Sequence, residues 1–183
     1  MWNTCEPSCQ EYISIQIYIT QNDLAVDDKG RVYVSDMLTD SIYQLDGDNL
    51  SLRLQDSALQ HPNGLQIDSN RLLVAPWGKD LQENFTTKVL GHLIAVDLTS
   101  KSISTVGSGE PVGNLDGLEP DGKGNWLVSD WMAGGIFRID ASGKADLLVD
   151  LNQGSADIGV INEESMVLVP MMLDNKVIAI STR

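Results

Sequence analysis

Four positions carry oxygen-bearing side chains in the same local setting: Asn22, Asn63, Asp116 and Asp157. They open the segments "NDLAVDDKGRVYVSD", "NGLQIDSNRLLVAP", "DGLEPDGKGNWLVSD" and "DIGVINEESMVLVP". Amide and carboxylate oxygens gathered at one point suit a hard cation, which binds clusters of oxygen ligands and keeps room for water. Calcium fits such a set best, with magnesium, manganese and zinc as the other divalent candidates. Asn-Gly and Asp-Gly are also ordinary turn formers, whose side chains tie off a loop through nearby backbone. One such pair alone reads as a turn; recurrence at four positions sets the ligand reading beside it.

The ends of the same segments add a second set of candidates. Asp36 with Met37, Pro76 with Trp77, Asp130 with Trp131, and Pro170 with Met171 are expected near the rim that carries the oxygens. Trp77, Asp130, Trp131 and Met171, together with Asn22 and Asp157, are the candidate contacts to a small molecule, because aromatic and Met side chains beside polar groups make a pocket. Packing between neighbouring sheets is the plainer reading, for the methionines above all. From Trp77 to His92 the chain runs through an insertion, "GKDLQENFTTKVLG". It is expected on the same face, where loops commonly carry function. His61 and His92, the only histidines, are expected there too and are chemically able to move a proton, although exposed loop histidines are commoner than catalytic ones.

Other chemistries find no support. The two histidines are too far apart for a helical His-x-x-x-His zinc motif, and neither a Gly-x-Ser-x-Gly elbow, a P-loop nor a dinucleotide fingerprint occurs. Cys5 and Cys9 stand together without a second pair, so they read as incidental, or as a local disulfide in an exported protein. Twelve Lys and Arg against 26 Asp and Glu give a formal charge of −14. That charge repels phosphate backbones and anionic lipid alike, which argues against nucleic acid and membrane partners. The first residues, "MWNTCEPSCQ", lack the basic start and apolar stretch of a signal peptide. Localisation is left open.

The elements that must position these residues follow from the repeat. The four segments start 41 (63 − 22), 53 (116 − 63) and 41 (157 − 116) residues apart. Each reads as a strand, a polar turn such as "DDKG" or "DGKG", and a second strand. Third strands follow in "SIYQLD", "HLIAVDL", "GIFRID" and "KVIAI", and fourth strands in "LSLRLQD", "KSISTVG" and "ADLLVDL". No segment sustains a helical period. Four-stranded antiparallel units repeated at this spacing predict an all-β fold, a β-propeller with four blade repeats. A β-sandwich is the competing architecture, but sandwiches do not repeat their sequence.

Residues 1–20 form an atypical N-terminal segment, and 21–183 the propeller domain with blades starting near 22, 63, 116 and 157. The alternating stretch "YISIQIYIT", Tyr12 to Thr20, reads as a strand that would complete the last blade and close a four-bladed ring. Alternatively the chain is part of a six-bladed ring. An incomplete ring exposes two apolar blade faces, through which self-association is expected.

On "NDLAVDDKGRVYVSD", "HPNGLQID" and "LDGLEPDGKGNWLVSD" the chain resembles the senescence marker protein, gluconolactonase and luciferin-regenerating enzyme family of six-bladed propellers, over nearly all of residues 21 to 180. The resemblance implies a divalent metal at the channel mouth, with Asn63 as a ligand, Asp116 as ligand and general base, and Asn22 as a contact to substrate or metal-bound water. It implies hydrolysis of a lactone or related ester. The family's glutamate ligand belongs to a blade before Asn22, and nothing upstream matches it; Glu11 lies in no recognisable inner strand. The N-terminal blades are therefore expected to be missing, with metal binding and hydrolysis impaired. A non-catalytic propeller that binds a small ligand or a protein partner through Trp77 and Trp131 is the alternative function, and a fragment without function of its own is the third.

Overall fold

The structure is a computed structural model and describes residues 21–182. The expectations for Cys5, Cys9, Glu11 and the strand at Tyr12–Thr20 lie outside the described residues. What is described is a four-blade β-propeller, because the first three repeats carry four short apolar runs punctuated by turn residues and the fourth repeat carries three. Blade 1 is β1 (Gln21–Val26), β2 (Val32–Asp36), β3 (Ser41–Asp46) and β4 (Asn49–Gln55), paired in that order. Blade 2 begins with β5 (Pro62–Asp68) and β6 (Arg71–Pro76). The insertion then leaves the sheet as a separate hairpin, β7 (Gly78–Leu81) and β8 (Thr87–Leu90), before β9 (Ile94–Asp97) and β10 (Ile103–Thr105) complete the blade. Blade 3 is β11 (Leu115–Pro120), β12 (Trp126–Asp130), β13 (Gly135–Ile139) and β14 (Ala145–Asp150), and blade 4 shows β15 (Gly159–Ile161), β16 (Met166–Met171) and β17 (Lys176–Ser181) among the described residues.

The turns are tied by aspartates. Asp27 accepts hydrogen bonds from the backbone of Lys29 and Arg31 between β1 and β2, and Asp121 does the same for Lys123 and Asn125 between β11 and β12. These are the "DDKG" and "DGKG" motifs, in which a short carboxylate substitutes for a backbone acceptor.

The core lies between blades rather than within them. Adjacent residues of a strand face opposite sides of its sheet, so one strand serves two seams. In β6, Leu72 and Val74 pack toward blade 1, with Tyr33 and Ile42, while Leu73 and Ala75 pack toward blade 3, with Leu115, Leu118 and Val128. The third seam joins Leu127 and Ile136 of blade 3 to Ile158, Val167, Val169 and Met171 of blade 4. Exposed apolar side chains mark the outward faces of the first and last blades, Leu24 and Val26 on β1 and Val177 on β17.

Each inner strand breaks register near its start, between Gln21 and Leu24, Pro62 and Gly64, and Leu115 and Leu118. In blade 4 the Ser155–Met171 bridge stands off the Gly159–Leu168 ladder in the same way. Bulges of this kind re-aim side chains at a rim. The buried hydroxyl of Ser35 accepts from Asp23 N–H in its own blade and donates to the Asn63 carbonyl of the next, at 3.0 and 2.8 Å. Ser129 repeats this with Gly117 N–H and the Ala156 carbonyl, both at 2.8 Å.

That repetition corrects the register of the fourth repeat. Ala156, not Asp157, is the counterpart of Asn63, and Asp157 matches Asp23. Three further bonds agree: the backbone N–H of Trp77, Trp131 and Met172 donates to the carbonyls of His61, Asn114 and Gly154 respectively. Met172 therefore takes the place of the tryptophans, and Met171 that of Asp130.

Candidate functional site

Two levels of side chains result at the mouth of the propeller. The first holds Asn22, Asn63, Asp116 and Ala156, and the second Asp23, Gly64, Gly117 and Asp157. The glycines are required by close approach. A Cβ on Gly64 would stand 2.2 Å from the Asp116 carbonyl oxygen, and one on Gly117 2.5 Å from Ile158 N and 2.8 Å from Asp157 Cα. Neighbouring inner strands thereby come together near the axis, which brings Asn63 and Asp116 side by side.

Neither of those two side chains ties a turn. The Asn63 amide draws the Asp116 carboxyl down through a loose side-chain contact, yet its Nδ2 is buried without a hydrogen bond of good geometry, in a residue only 1% exposed. Burial raises Asp116 most, followed by the negative charges of Asp157 and Asp23, and together they push its carboxyl up to about 7. Burial likewise lifts Asp23 to about 6, against the Leu65 N–H that donates to its Oδ2 at 2.7 Å. Asp157 keeps an open face to solvent but is still raised, by the surfaces around it. Glu119, farther along β11, is raised by burial and by the same two aspartates. An uncompensated cluster of carboxyls is the electrostatic signature of this mouth.

Asn22, Asn63 and Asp116 line one cleft of about 460 Å³ together with Met37, Trp77 and Trp131. The two tryptophan rings are 6.0 Å apart between centroids and inclined at 44°. Asn84, Phe85, Met132 and Gln153 complete the lining; these four were not singled out in the sequence. Asn84 and Phe85 belong to the insertion, whose placement on this face was legible, whereas nothing marks Met132 or Gln153.

Three of the candidate contacts fall elsewhere. Asp130 is buried, and its Oδ1 accepts from Met132 and Ala133 N–H, so it caps the β12–β13 turn. Met171 is buried in the seam between blades 3 and 4. Asp157 acts on the cleft through its charge without lining it. The histidines are not brought in either. His61 Nδ1 lies 2.9 Å from the Met37 carbonyl, in a separate depression of about 540 Å³ shared with Asp40 and Lys79. His92 approaches Thr105, and burial and Lys79 hold its pKa down.

For a cation the donor set is chemically apt and small. Asn22, Asn63 and Asp116 offer hard oxygen donors on one cleft, and turning over the Asn63 amide presents Oδ1 where Nδ2 now lacks a partner. Among the described residues no group of three or more His, Cys, Asp or Glu is placed to hold a metal. These residues fit as part of a ligand set, with water and substrate as the natural remainder.

Comparison with known proteins agrees with the fold. Similar solved structures include a gluconolactonase from Xanthomonas campestris, with 18% identity, a TM-score of 0.62, and 82% of this chain against 54% of that one covered. Virginiamycin B lyase from Staphylococcus aureus matches at 14% identity and a TM-score of 0.58 over 88% and 55% of the two chains. A chain of the nidogen/laminin complex matches at 15% and 0.64 over 81% and 56%. This chain thus spans about half the length of the solved proteins it matches, and at these identities they share its fold. No curated protein matches the sequence. The model of the SMP-30/Gluconolactonase/LRE-like region matches residues 18–156, well over half of the chain. By that match, and by the repeated strand and turn phrases that the propeller places around one mouth, the chain belongs to the SMP-30/gluconolactonase/LRE-like family.

Proposed function

We propose that this chain carries the reactive face of a divalent-metal-dependent hydrolase of lactones or related esters. One arrangement carries the reading: Asn63 and Asp116 meet on neighbouring inner strands, in a cleft, with neither side chain spent on a turn and the Asn63 Nδ2 unpartnered. An unsatisfied buried amide costs about 1–3 kcal/mol. A carbonyl accepting from Nδ2, or a cation taking Oδ1 of the turned-over amide, would recover that cost.

Each residue then has a role. Asp116, partly buried and facing the cleft, takes a proton from a water that attacks the carbonyl carbon. Asn63 orients the carbonyl oxygen, and Asn22, at the exposed rim with its Nδ2 toward the Met37 sulfur, contacts the ligand or an ordered water. Trp77 and Trp131 cover the flank and exclude solvent. Asn63 and Asp116 would hold the cation, with Asn22 on its water or on the ligand, calcium first by their all-oxygen chemistry, with magnesium, manganese and zinc behind it. When bound, such an ion polarises a carbonyl and offsets the charge developing on its oxygen.

The test is turnover of δ-valerolactone with and without EDTA, in the wild type, Asp116→Ala and Asn63→Ala. Activity that chelation abolishes and that falls at least about 100-fold in both variants, the scale of losing a base or an oxyanion donor, is the expected result. Undiminished turnover in Asp116→Ala would refute the assignment. Saturable binding of the lactone without turnover would assign the chain as a binding propeller.

A further inference from the structure

The first and last blades each present a sheet face composed for packing. In blade 1, Tyr33 and Ile42 pack toward blade 2, so their strand neighbours Val32, Val34 and Tyr43 point the other way. Strand pairing carries that outer face across the whole sheet. Leu24 pairs with Val34, Val34 with Tyr43 and Tyr43 with Leu52, and a second row runs through Val26, Val32, Leu45 and Leu50. Every position in both rows is apolar. An antiparallel sheet face left to water alternates to polar residues. This one does not, although Leu24, Val26 and Leu52 are 59%, 53% and 50% exposed.

Blade 3 shows what such a face is for. Its matching rows begin with Leu118, Val128 and Phe137 and with Pro120, Trp126 and Ile139. Leu118, Val128 and Ile139 are buried there against Leu73 and Ala75 of blade 2, with Trp126 and Phe137 packed alongside. The surface that fits blade 1 is therefore the side of a blade on which β6 carries Leu73 and Ala75. Blade 4 offers that side to solvent. Val167 and Val169 pack toward blade 3, so Leu168 and Pro170 face outward at the positions of Leu73 and Ala75, with Ala179 and Val177 paired beside them. Val177 is 66% exposed.

We infer that blade 4 of one molecule packs on blade 1 of a second copy, and blade 4 of that copy on blade 1 of the first, which closes a ring of two chains. Each contact is then made twice with the roles of the chains exchanged, the two-fold arrangement commonest among oligomers. Twice four blades stays within the sizes at which propellers close, about four to eight. The rows bring no charged side chain into the seam, so joining two chains of formal charge −14 buries no unpaired charge. At about 4.8 Å between strands and about 3.3 Å per residue, the faces of two such seams cover about 1,000 Å² in projection, the size at which an interface becomes specific, and one seam about half of that. The closed ring reaches this size where an open contact does not. The inference concerns the outer faces alone and is independent of the hydrolase reading.

The test is the mass of the full 183-residue chain in solution, by sedimentation velocity from about 1 to 100 μM, a span that resolves micromolar association. The expected result is a species of twice the 20.0 kDa chain mass that grows no further with concentration. Leu24→Lys and Val177→Lys should each reduce it to one chain, with association weakened at least about 100-fold, because either substitution places an unpaired charge in both seams. Both positions are exposed in the single chain, and matching circular dichroism spectra check that the variants fold. A wild type of single-chain mass throughout would overturn the inference, whether the faces stay open or another segment covers them. Dissociation by only one of the two substitutions would mean that like face meets like face, and would overturn the pairing of blade 1 with blade 4. A mass that keeps rising past two chains would overturn the closed ring.

Discussion

Replacing Asp116 by Asn in the metal-free protein should stabilise the fold at pH 8 and change little at pH 4. The Asp116 carboxyl is raised from 3.8 to about 7 by burial and by Asp157 and Asp23. Each unit of such a shift corresponds to about 1.4 kcal/mol, so the full displacement is worth about 4 kcal/mol. The side chain keeps some contact with solvent, which screens the charge, and about half that figure is the better expectation. The sign follows from proton binding. Between pH 3.8 and about 7 the folded state holds a proton that the unfolded state has released, so stability falls as pH rises through that window. The penalty is complete above about pH 7 and absent below about pH 4. Asn carries no charge and escapes it. Asp23, raised to about 6, remains in the variant and keeps a shallower slope of the same sign. Urea unfolding from pH 4 to 8 in EDTA measures this directly: the two curves should converge in acid and diverge by about 2 kcal/mol at pH 8. Parallel curves across the range would show that the axial carboxyls are not electrostatically frustrated and would refute the raised Asp116.

Three other outcomes are expected. Calcium titrated at pH 7.5 should raise the melting temperature, with about 2.7 kcal/mol gained at 100-fold excess over Kd, and the shift should vanish in Asp116→Ala and shrink at pH 5. Ser129→Ala should cost about 1–3 kcal/mol in urea unfolding, because it strands Gly117 N–H and the Ala156 carbonyl in a buried seam. Gly64→Ala should cost about 1–3 kcal/mol or more and weaken calcium binding, since its Cβ overlaps the Asp116 carbonyl oxygen; an unchanged affinity would show that blade spacing does not set the site.

The propeller was legible because its blades repeat both spacing and turn chemistry, and "DDKG" and "DGKG" form the Asp-capped turns they suggest. Asn63 and Asp116 could be paired because both precede glycine near the start of a repeat's first strand. The fourth repeat misled by one residue for a local reason. It lacks the Asp-capped turn of blades 1 and 3 and reverses instead through a 3-10 turn at Asn162–Glu164 that ends on Ser165 with φ +51°, so "DIG" imitates "DGL" out of phase. Asp130 resembled a contact to a small molecule at the rim because its role as a turn cap depends on Met132 and Ala133 N–H, which any sequence supplies. Phe85 could be assigned to a face but not to a contact: a hairpin tip has no period, and what holds it is its backbone carbonyl, which accepts from the Trp77 indole N–H.

The seams between blades are not alike. A serine hydroxyl locks blade 1 to blade 2 and blade 3 to blade 4, but the matching positions in blades 2 and 4 are Ala75 and Pro170, and blades 2 and 3 are joined by the Asn114 amide. Blades therefore carry two kinds of connector, and a blade copied alone within the gene would face a neighbour with the wrong one. A copied pair would keep the alternation.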